Sequence, residues 1–432
     1  MPGGSIAPSR SRPARALKLV VLGVAVTLIA GGIGWVAAGG VFEAVGQPAA
    51  SGTGTAAGGG QPAAHPGSTD PTNPADGAGG AQPTATPTPP TGGTELYGYL
   101  PYWQMTDSMA AYLPNVPVST LALFSVSATS SGGIKHGDLG YQRITGPRGA
   151  ALIADAHARG QRVDLVFTSF GYRANARLFG DDPKALQRRA RAARELTALA
   201  STLGVDGVNV DVELIDGNLA DGYATFIDTL GAGLRSANPH ATVTAATTAS
   251  HNGADLARAA IAGGADRVFL MGYDYHWSGS AAGASSPISN RDGTLDLPWS
   301  ISAYVDAGVP RDQILLGLPL YGMSWPVSGP GRAAAVLGTG RTWLPSQHTD
   351  QLLAPGFTAG FDQQEIADYF AVPQGSAWLA TYYDSPRSLL PKLGLARSQG
   401  LAGAGFWALG YEKGLPGYLE LMTDFVAGRI PG

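Results

Sequence analysis

From Glu95 onward, short β-prone apolar runs alternate with stretches whose apolar positions recur at helical spacing. Eight runs are expected to be strands: Leu96–Pro101, Thr120–Ser127, Arg162–Ser169, Gly207–Glu213, Ala241–Thr247, Arg267–Tyr273, Ile314–Pro319 and Gly403–Leu409. Alternation of this kind places parallel strands in one sheet, with a helix packed against it after each strand. Helix limits are also signalled. Asp182-Pro183 supplies an N-cap and a proline at the first helical position, Gly204 closes that helix, and Ser385-Pro386 repeats the device before the last strand. Eight strands over residues 95–428 predict an α/β fold, a (β/α)8 barrel. An open doubly wound sheet would call for a phosphate-binding glycine turn, which is not found. The alternation lapses between Trp325 and Ala377, which reads as a small insertion between strands 7 and 8, above the C-terminal face of the barrel.

Upstream of Glu95 the pattern is different. Arg10, Arg12, Arg15 and Lys18 precede the uncharged stretch 19–42, enough for a helix to cross a hydrocarbon core that takes about 20 residues. A cleavable signal peptide has an apolar region of only about 7 to 15 residues, so an uncleaved transmembrane signal-anchor is expected; cleavage would make the domain a secreted one. After Lys18 the next lysine or arginine is Lys135. That asymmetry puts residues 1–18 in the cytoplasm and everything beyond Phe42 outside the cell membrane. Residues 43–94 are rich in Gly, Ala, Pro and Thr with almost no large apolar side chains, and are expected to form a disordered linker. Such a coil would reach on the order of 40 Å.

Composition removes several function classes. The chain has no cysteine, which excludes disulfides, thiolate metal sites and thiol catalysis. A net charge of −4 without basic blocks in the last three quarters of the sequence gives no nucleic-acid footprint and suits a neutral substrate and a monomer. No clustered histidines call for a metal, and no cofactor is expected.

The chemistry is concentrated in the fourth strand, Val205-Asp-Gly-Val-Asn-Val-Asp-Val-Glu213. Strand alternation puts Asn209, Asp211 and Glu213 on one face and Val208, Val210 and Val212 on the other. The valines pack against the helix layer, so the polar face points into the barrel toward its C-terminal mouth, where this fold carries active sites. Buried polar groups there are costly unless hydrogen-bonded or used; an acidic pair could simply bond to neighbouring strands.

The spacing resembles the Asp-Gly-x-x-x-Asp-x-Glu signature of family 18 glycoside hydrolases, which include chitinases, endo-β-N-acetylglucosaminidases and spore-germination hydrolases. Met271-Gly-Tyr-Asp274 is similar to that family's Met-x-Tyr-Asp, Gly317-Leu-Pro-Leu-Tyr-Gly322 to its seventh strand, and Leu96-Tyr-Gly-Tyr-Leu-Pro-Tyr-Trp103 to its first. Trp407 falls where its eighth strand ends in a tryptophan. The matches occur in order across the whole barrel.

The resemblance implies a retaining mechanism in which the substrate's own 2-acetamido oxygen attacks the anomeric carbon. Glu213 would be the general acid and base, Asp211 would orient the acetamido group, and Tyr273 would hydrogen-bond its oxygen. Asp274 would fix the same sugar and Trp407 would floor the pocket. Tyr99, Tyr321 and Asn209 lie in the matched motifs and join Trp277, next along the chain from Asp274, as candidate substrate-binding residues. The implied partner is an N-acetylglucosamine-containing polysaccharide or glycan. Trp103, Trp325 and Trp378 are candidate platforms for further sugars or ordinary packing residues, and His276 reads as structural.

Two departures shape the expectation. Asn209 stands where chitinases usually have the first aspartate of the signature, as in the spore-germination and cell-wall branch. Without a like charge at 209, Asp211 is expected to stay ionised throughout the working range. Thr168-Ser-Phe-Gly171 replaces the family's Ser-x-Gly-Gly at the third strand. That replacement puts in doubt any backbone contact made there, while Asn209 and the tether favour an envelope glycan such as peptidoglycan over chitin. The competing reading is a catalytically silent, lectin-like barrel, against which the retained Glu213 argues. A scaffold role has nothing positive in its support.

Overall fold

The computed structural model describes residues 95–432 apart from 292 and 294. The anchor expected over 19–42 and the linker over 43–94 lie outside the described residues, and no described helix is long and apolar enough to cross a membrane. The strands are β1 (Glu95–Pro101), β2 (Thr120–Ser127), β3 (Arg162–Phe170), β4 (Gly207–Glu213), β5 (Thr242–Thr248), β6 (Arg267–Met271) and β7 (Ile314–Pro319). They continue as β8 (Gly322–Val327), β9 (Arg341–Trp343), β10 (Gly360–Asp362), β11 (Ala367–Gln374), β12 (Ala377–Tyr383) and β13 (Gly403–Trp407). Strands β1 to β7 and β13 close into a barrel in the order β1-β13-β7-β6-β5-β4-β3-β2, every neighbouring pair parallel.

Alternation along the strands produces two apolar zones. The outward valines of β4 join Phe226, Ile227 and Leu230, on the helix Ala220–Ala237, in the large core between strands and helices. A smaller cluster fills the barrel with Tyr97, Tyr99, Phe124, Val166, Phe269 and Met271. Phe269 occupies space left by two glycines: a Cβ would meet its ring at 2.4 Å from Gly317 and at 2.6 Å from Gly405. Gly317→Ala is therefore expected to lower the unfolding free energy by about 1–3 kcal/mol through overpacking, read from urea denaturation. An unchanged midpoint would mean that Phe269 can turn aside.

The signalled helix ends are present. Asp182 accepts hydrogen bonds from the backbone of Lys184 (2.9 Å) and Ala185 (3.1 Å), and Gly204 closes the helix Pro183–Leu203 with a φ of 68°. Two strands stop short of their expected ends. β6 ends at Met271, where the Gly272 amide is shared between Leu270 O (2.8 Å) and Gly317 O of β7 (3.0 Å) and the Tyr273 amide turns back to Met271 O (2.9 Å). β13 ends at Trp407, after which Leu409 N bonds to Tyr99 O.

The insertion does lie between the seventh and last barrel strands, but it is wider than Trp325–Ala377. It forms an antiparallel sheet, β10-β11-β12-β8-β9, which starts at Gly322 and ends at Tyr383. Its central hairpin pairs Asp368–Gln374 with Ala377–Tyr383 around Gly375, whose φ is 62°.

Candidate active site

β4 delivers Asn209, Asp211 and Glu213 in a column toward the C-terminal mouth, with Asn209 and Asp211 buried and Glu213 half-buried. At Leu214 the chain turns with a φ of 57°. Asn175 clamps this turn, its Nδ2 donating to Glu213 O (2.7 Å) and Leu214 O (3.2 Å) while Ser169 Oγ donates to its Oδ1 (2.7 Å). Gly171, at a φ of 102°, adds its N–H to Glu213 O (3.0 Å). The altered third-strand motif therefore still supplies a backbone donor to the acid's own peptide.

Burial pushes the Glu213 carboxyl up to about 7, and the Asp274 charge adds to the effect. Asp211 departs from the expectation of permanent ionisation. Its carboxyl lies well above the usual range, first because it is buried and then because Glu213 stands beside it. Removing a like charge at 209 does not lower Asp211, since desolvation dominates and Glu213 remains. The Oδ1 atoms of Asp211, Asn209 and Asp164 are all buried without a hydrogen-bond partner.

The second wall comes from β6 and β7. Asp274 is held in the left-handed region at a φ of 62°, a conformation that aspartate tolerates better than most residues. Its carboxylate accepts from the Tyr321 hydroxyl. Ser285 braces both, accepting from Asp274 N (3.0 Å) and donating to Tyr321 Oη (3.3 Å). Asp274 is open to solvent at the mouth, yet the surrounding protein raises its carboxyl, opposed by the Tyr321 hydroxyl. Tyr273 meets Tyr321 edge-on at 6.1 Å, and its hydroxyl feels Tyr99, Tyr321, Asp211 and Glu213.

Trp407, half-buried at the end of β13, stands 4.7 Å from Phe124, 5.5 Å from Tyr99 and 6.4 Å from Trp103. Trp103 donates its Nε1–H to Tyr411 Oη at 3.3 Å. The fold thus brings together Tyr99, Asn209, Asp211, Glu213, Tyr273, Asp274, Tyr321 and Trp407.

Other aromatic candidates fall elsewhere. Trp325 is completely buried in the insertion, against Tyr382, and cannot be a sugar platform. Trp378 is half-buried on β12 opposite Val327. Trp277 packs its ring over Gly279, and its backbone N–H donates to Ser280 Oγ at 2.9 Å. His276 is buried between Ala281 O (3.0 Å) and Glu365 (3.3 Å), a structural tie from the β6 loop to the insertion. Among the described residues no group of three or more His, Asp or Glu side chains is placed to hold a metal.

Four residues of the site were not singled out from sequence: Tyr97, Asp164, Asn175 and Ser285. Asp164 was the most accessible to the same reasoning, as a lone carboxylate at an inward position of the apolar run Arg162-Val-Asp-Leu-Val-Phe167.

Comparison with known proteins finds relatives over the barrel. The chain is 29% identical over 150 residues to "Class V chitinase CHIT5" of Lotus japonicus, covering 33% of this chain and 37% of that one. It is 24% identical over 241 residues to "Putative sporulation-specific glycosylase YdhD" of Bacillus subtilis (strain 168), covering 52% of each. The matches thus span about a third to a half of these curated relatives. Among solved structures, the spore cortex-lytic enzyme SleL of Bacillus cereus superposes with a TM-score of 0.62 at 18% identity, over 78% of this chain and 75% of that one. The GH18 chitinase of Cycas revoluta in complex with (GlcNAc)3 superposes with a TM-score of 0.64 at 18% identity, over 78% of this chain and 99% of that one. At that identity the likeness is one of fold. The description "Glycosyl hydrolases family 18" matches residues 96–412, nearly the whole barrel and its insertion, so the chain belongs to glycosyl hydrolase family 18.

Proposed function

We propose that this protein is a retaining glycoside hydrolase cleaving β-1,4 linkages in N-acetylglucosamine-containing glycans, of peptidoglycan or chitin type, by substrate-assisted catalysis. The observation that carries the reading is Glu213: a carboxyl raised to about 7, half-buried at the barrel mouth. Such a group can protonate a leaving oxygen near neutrality and then take a proton from water. Asp211, two residues below, orients the acetamido group and offsets the positive charge of the oxazolinium. Tyr273 donates to the acetamido oxygen, Asp274 fixes the sugar's hydroxyls, and Trp407 offers the apolar sugar face an aromatic floor. The names of relatives that refer to chitinase and to sporulation-specific glycosylase support the glycan class. Asn209 favours the envelope glycan, and the basic N-terminus with its apolar stretch suits a domain tethered outside the membrane.

The test is incubation of the full chain with peptidoglycan, chitin oligosaccharides and a high-mannose glycopeptide, with products followed by mass spectrometry and their first anomer by NMR. A product with retained configuration supports the mechanism, and inversion sinks it. A cleavable analogue lacking the 2-acetamido group should not turn over; if it does, the substrate is not the nucleophile.

The two carboxyls also set the pH dependence. Catalysis needs one proton on the pair, on Glu213, with Asp211 ionised. Rate should fall as pH rises through about 7, where Glu213 loses its proton. It should also fall on acidification, well above the usual aspartate range, where Asp211 gains one. The two inflections belong to the pair. A kcat/KM profile flat down to pH values typical of exposed aspartate would contradict the Asp211 assignment.

A further inference from the structure

The net charge of −4, which on its own suits a neutral substrate, conceals a separation of sign on the outer layer of the barrel. Between Tyr172 and Arg194 stand seven lysines and arginines against two aspartates, spaced by alanines so that no long basic run forms along the chain. The next helix, Ala220–Ala237, and the turn ahead of it carry Asp216, Asp221 and Asp228 against Arg235. Positive charge is therefore gathered on the helices that follow β3.

That surface adjoins the site. The helix Tyr172–Phe179 starts directly after Gly171, whose N–H bonds to Glu213 O at 3.0 Å. Its inner side gives Asn175 to the Glu213 turn, while Tyr172, Arg173 and Arg177 are exposed on the outer side. On the helix Pro183–Leu203, Arg188 donates Nη1 to Arg177 O (3.4 Å), which sets the charges of the two helices side by side. Lys184, Arg188 and Arg191, four and three residues apart, form one stripe. Arg191 Nη1 reaches Ser131 Oγ (3.3 Å) in the loop after β2. Of Arg173, Arg177, Lys184, Arg188 and Arg191, only Arg191 has a carboxylate within ion-pair distance among the described residues, Nε to Glu195 Oε1 at 2.7 Å. The two acids of the segment are Asp181 and Asp182, and Asp182 is engaged in the helix cap. Like charges at this helical spacing weaken a helix, a cost that an anionic partner removes. Guanidinium groups take carboxylates in paired hydrogen bonds. Tyr172, 53% exposed beside them, adds an aromatic face.

Resting on the hydrolase reading above, we propose that the face formed by Arg173, Arg177, Lys184, Arg188 and Arg191 binds carboxylates that branch from the glycan being cut. The substrate is then a polyanionic strand, peptidoglycan with its acidic stem peptides, rather than neutral chitin. A strand seated at Glu213 and leaving the mouth on the β3 side passes over the start of the helix Tyr172–Phe179, where its branches meet the stripe. The charges gather the polymer and hold it along the rim, and they take no part in bond cleavage.

The test uses the full chain and sacculi freed of phosphate polymers with hydrofluoric acid, either acidic or with their peptide carboxylates converted to amides, and chitopentaose as the neutral substrate. It compares the unaltered protein with Arg173→Gln/Arg177→Gln and with Lys184→Gln/Arg188→Gln, after thermal melts have shown that each is folded. For the unaltered protein, amidation should lower kcat/KM on sacculi about tenfold. Each double variant should lose about threefold or more on acidic sacculi relative to chitopentaose, and amidation should then cost it correspondingly less, because the same contacts are already gone. Amidated sacculi cut as fast as acidic ones overturn the proposal. So do variants that keep the full amidation effect, which would then belong to another basic segment such as Arg10–Lys18. Flotation with phosphatidylglycerol vesicles covers the other large anionic surface: variants that lose vesicle binding while keeping their preference for acidic sacculi assign the face to a membrane and overturn the proposal. If the unaltered chain cuts neither sacculi nor chitopentaose, the hydrolase reading fails on these substrates. The face is then decided by co-sedimentation with acidic and amidated sacculi, where equal binding overturns it.

Discussion

Glu213→Gln should reduce kcat by roughly 10²–10⁴-fold while changing KM only a few-fold, the range expected when one general acid and base is lost and binding contacts remain. The amide fills the same half-buried position under the Asn175 clamp, so the backbone of β4 has no reason to move. It cannot deliver a proton at any pH. A second consequence is specific to the pair. Glu213 is the charged neighbour that helps to raise Asp211, so removing it should lower the Asp211 carboxyl toward, though not to, its ordinary value, because burial remains. Residual activity of the variant should therefore lose the basic limb near 7 and extend further into acid. Full activity retained by Glu213→Gln would transfer the acid role to another group, Asp274 being the nearest candidate. Loss of product from both forms with glycan binding retained would leave a lectin-like barrel.

The barrel and the site differ in how far they could be read from the chain. β4 was legible because two rules coincide there: strict alternation sorts valines from polar groups, and the polar ones ascend toward the C-terminal mouth. All eight barrel strands follow from the same rule, with errors confined to ends such as Gly272 and Tyr273, where a local turn captures the Tyr273 amide and shares that of Gly272 with the ladder. The insertion was not legible as strands. Its residues are neither strictly alternating nor uniformly apolar, yet the hairpin turn at Gly375 between two β-rich runs was a usable signal. Trp325 stayed open between sugar platform and packing because a tryptophan near a cleft and one at the heart of a small sheet look alike in sequence, and the structure puts it in packing. Asp211 was misjudged for a different reason. Inspection of neighbours along the strand counts charges but not depth, and depth dominates here. The Ser285 brace and the Asn175 clamp depend on which loops meet at the mouth, which the closed barrel decides and no local pattern encodes.

The loop that carries Ser285 is itself held from below, and that is where the largest stability effect is expected. Lys392, on the helix Pro386–Ser398, is fully buried, and its ammonium pairs with Asp384 and donates to Ser286 Oγ at 2.9 Å. Asp384 also accepts from Ser286 (2.6 Å) and Ser388 (2.8 Å), and its carbonyl accepts from the Tyr418 hydroxyl (2.7 Å). One carboxylate thus joins the end of the insertion, the β6 loop and the helix Pro386–Ser398 ahead of β13. Asp384→Ala strands a buried cation and should cost about 3–5 kcal/mol in urea unfolding. Burial already pulls the Lys392 pKa down, and Asp384 opposes that pull. Without Asp384 the folded pKa falls further below the unfolded one, so the unfolded chain binds more protons and stability rises with pH. The deficit should therefore be smaller at pH 9 than at pH 6. Replacing both partners, Asp384→Leu with Lys392→Met, should recover most of the loss, since no charge is then left unpaired. A single variant that loses less than about 1 kcal/mol, or a deficit that grows with pH, would show that Lys392 reaches water or another acceptor. Because Ser286 adjoins the serine that braces Asp274 and Tyr321, Asp384→Ala should also reduce kcat at temperatures where it is still folded, linking the buried pair to the mouth of the barrel.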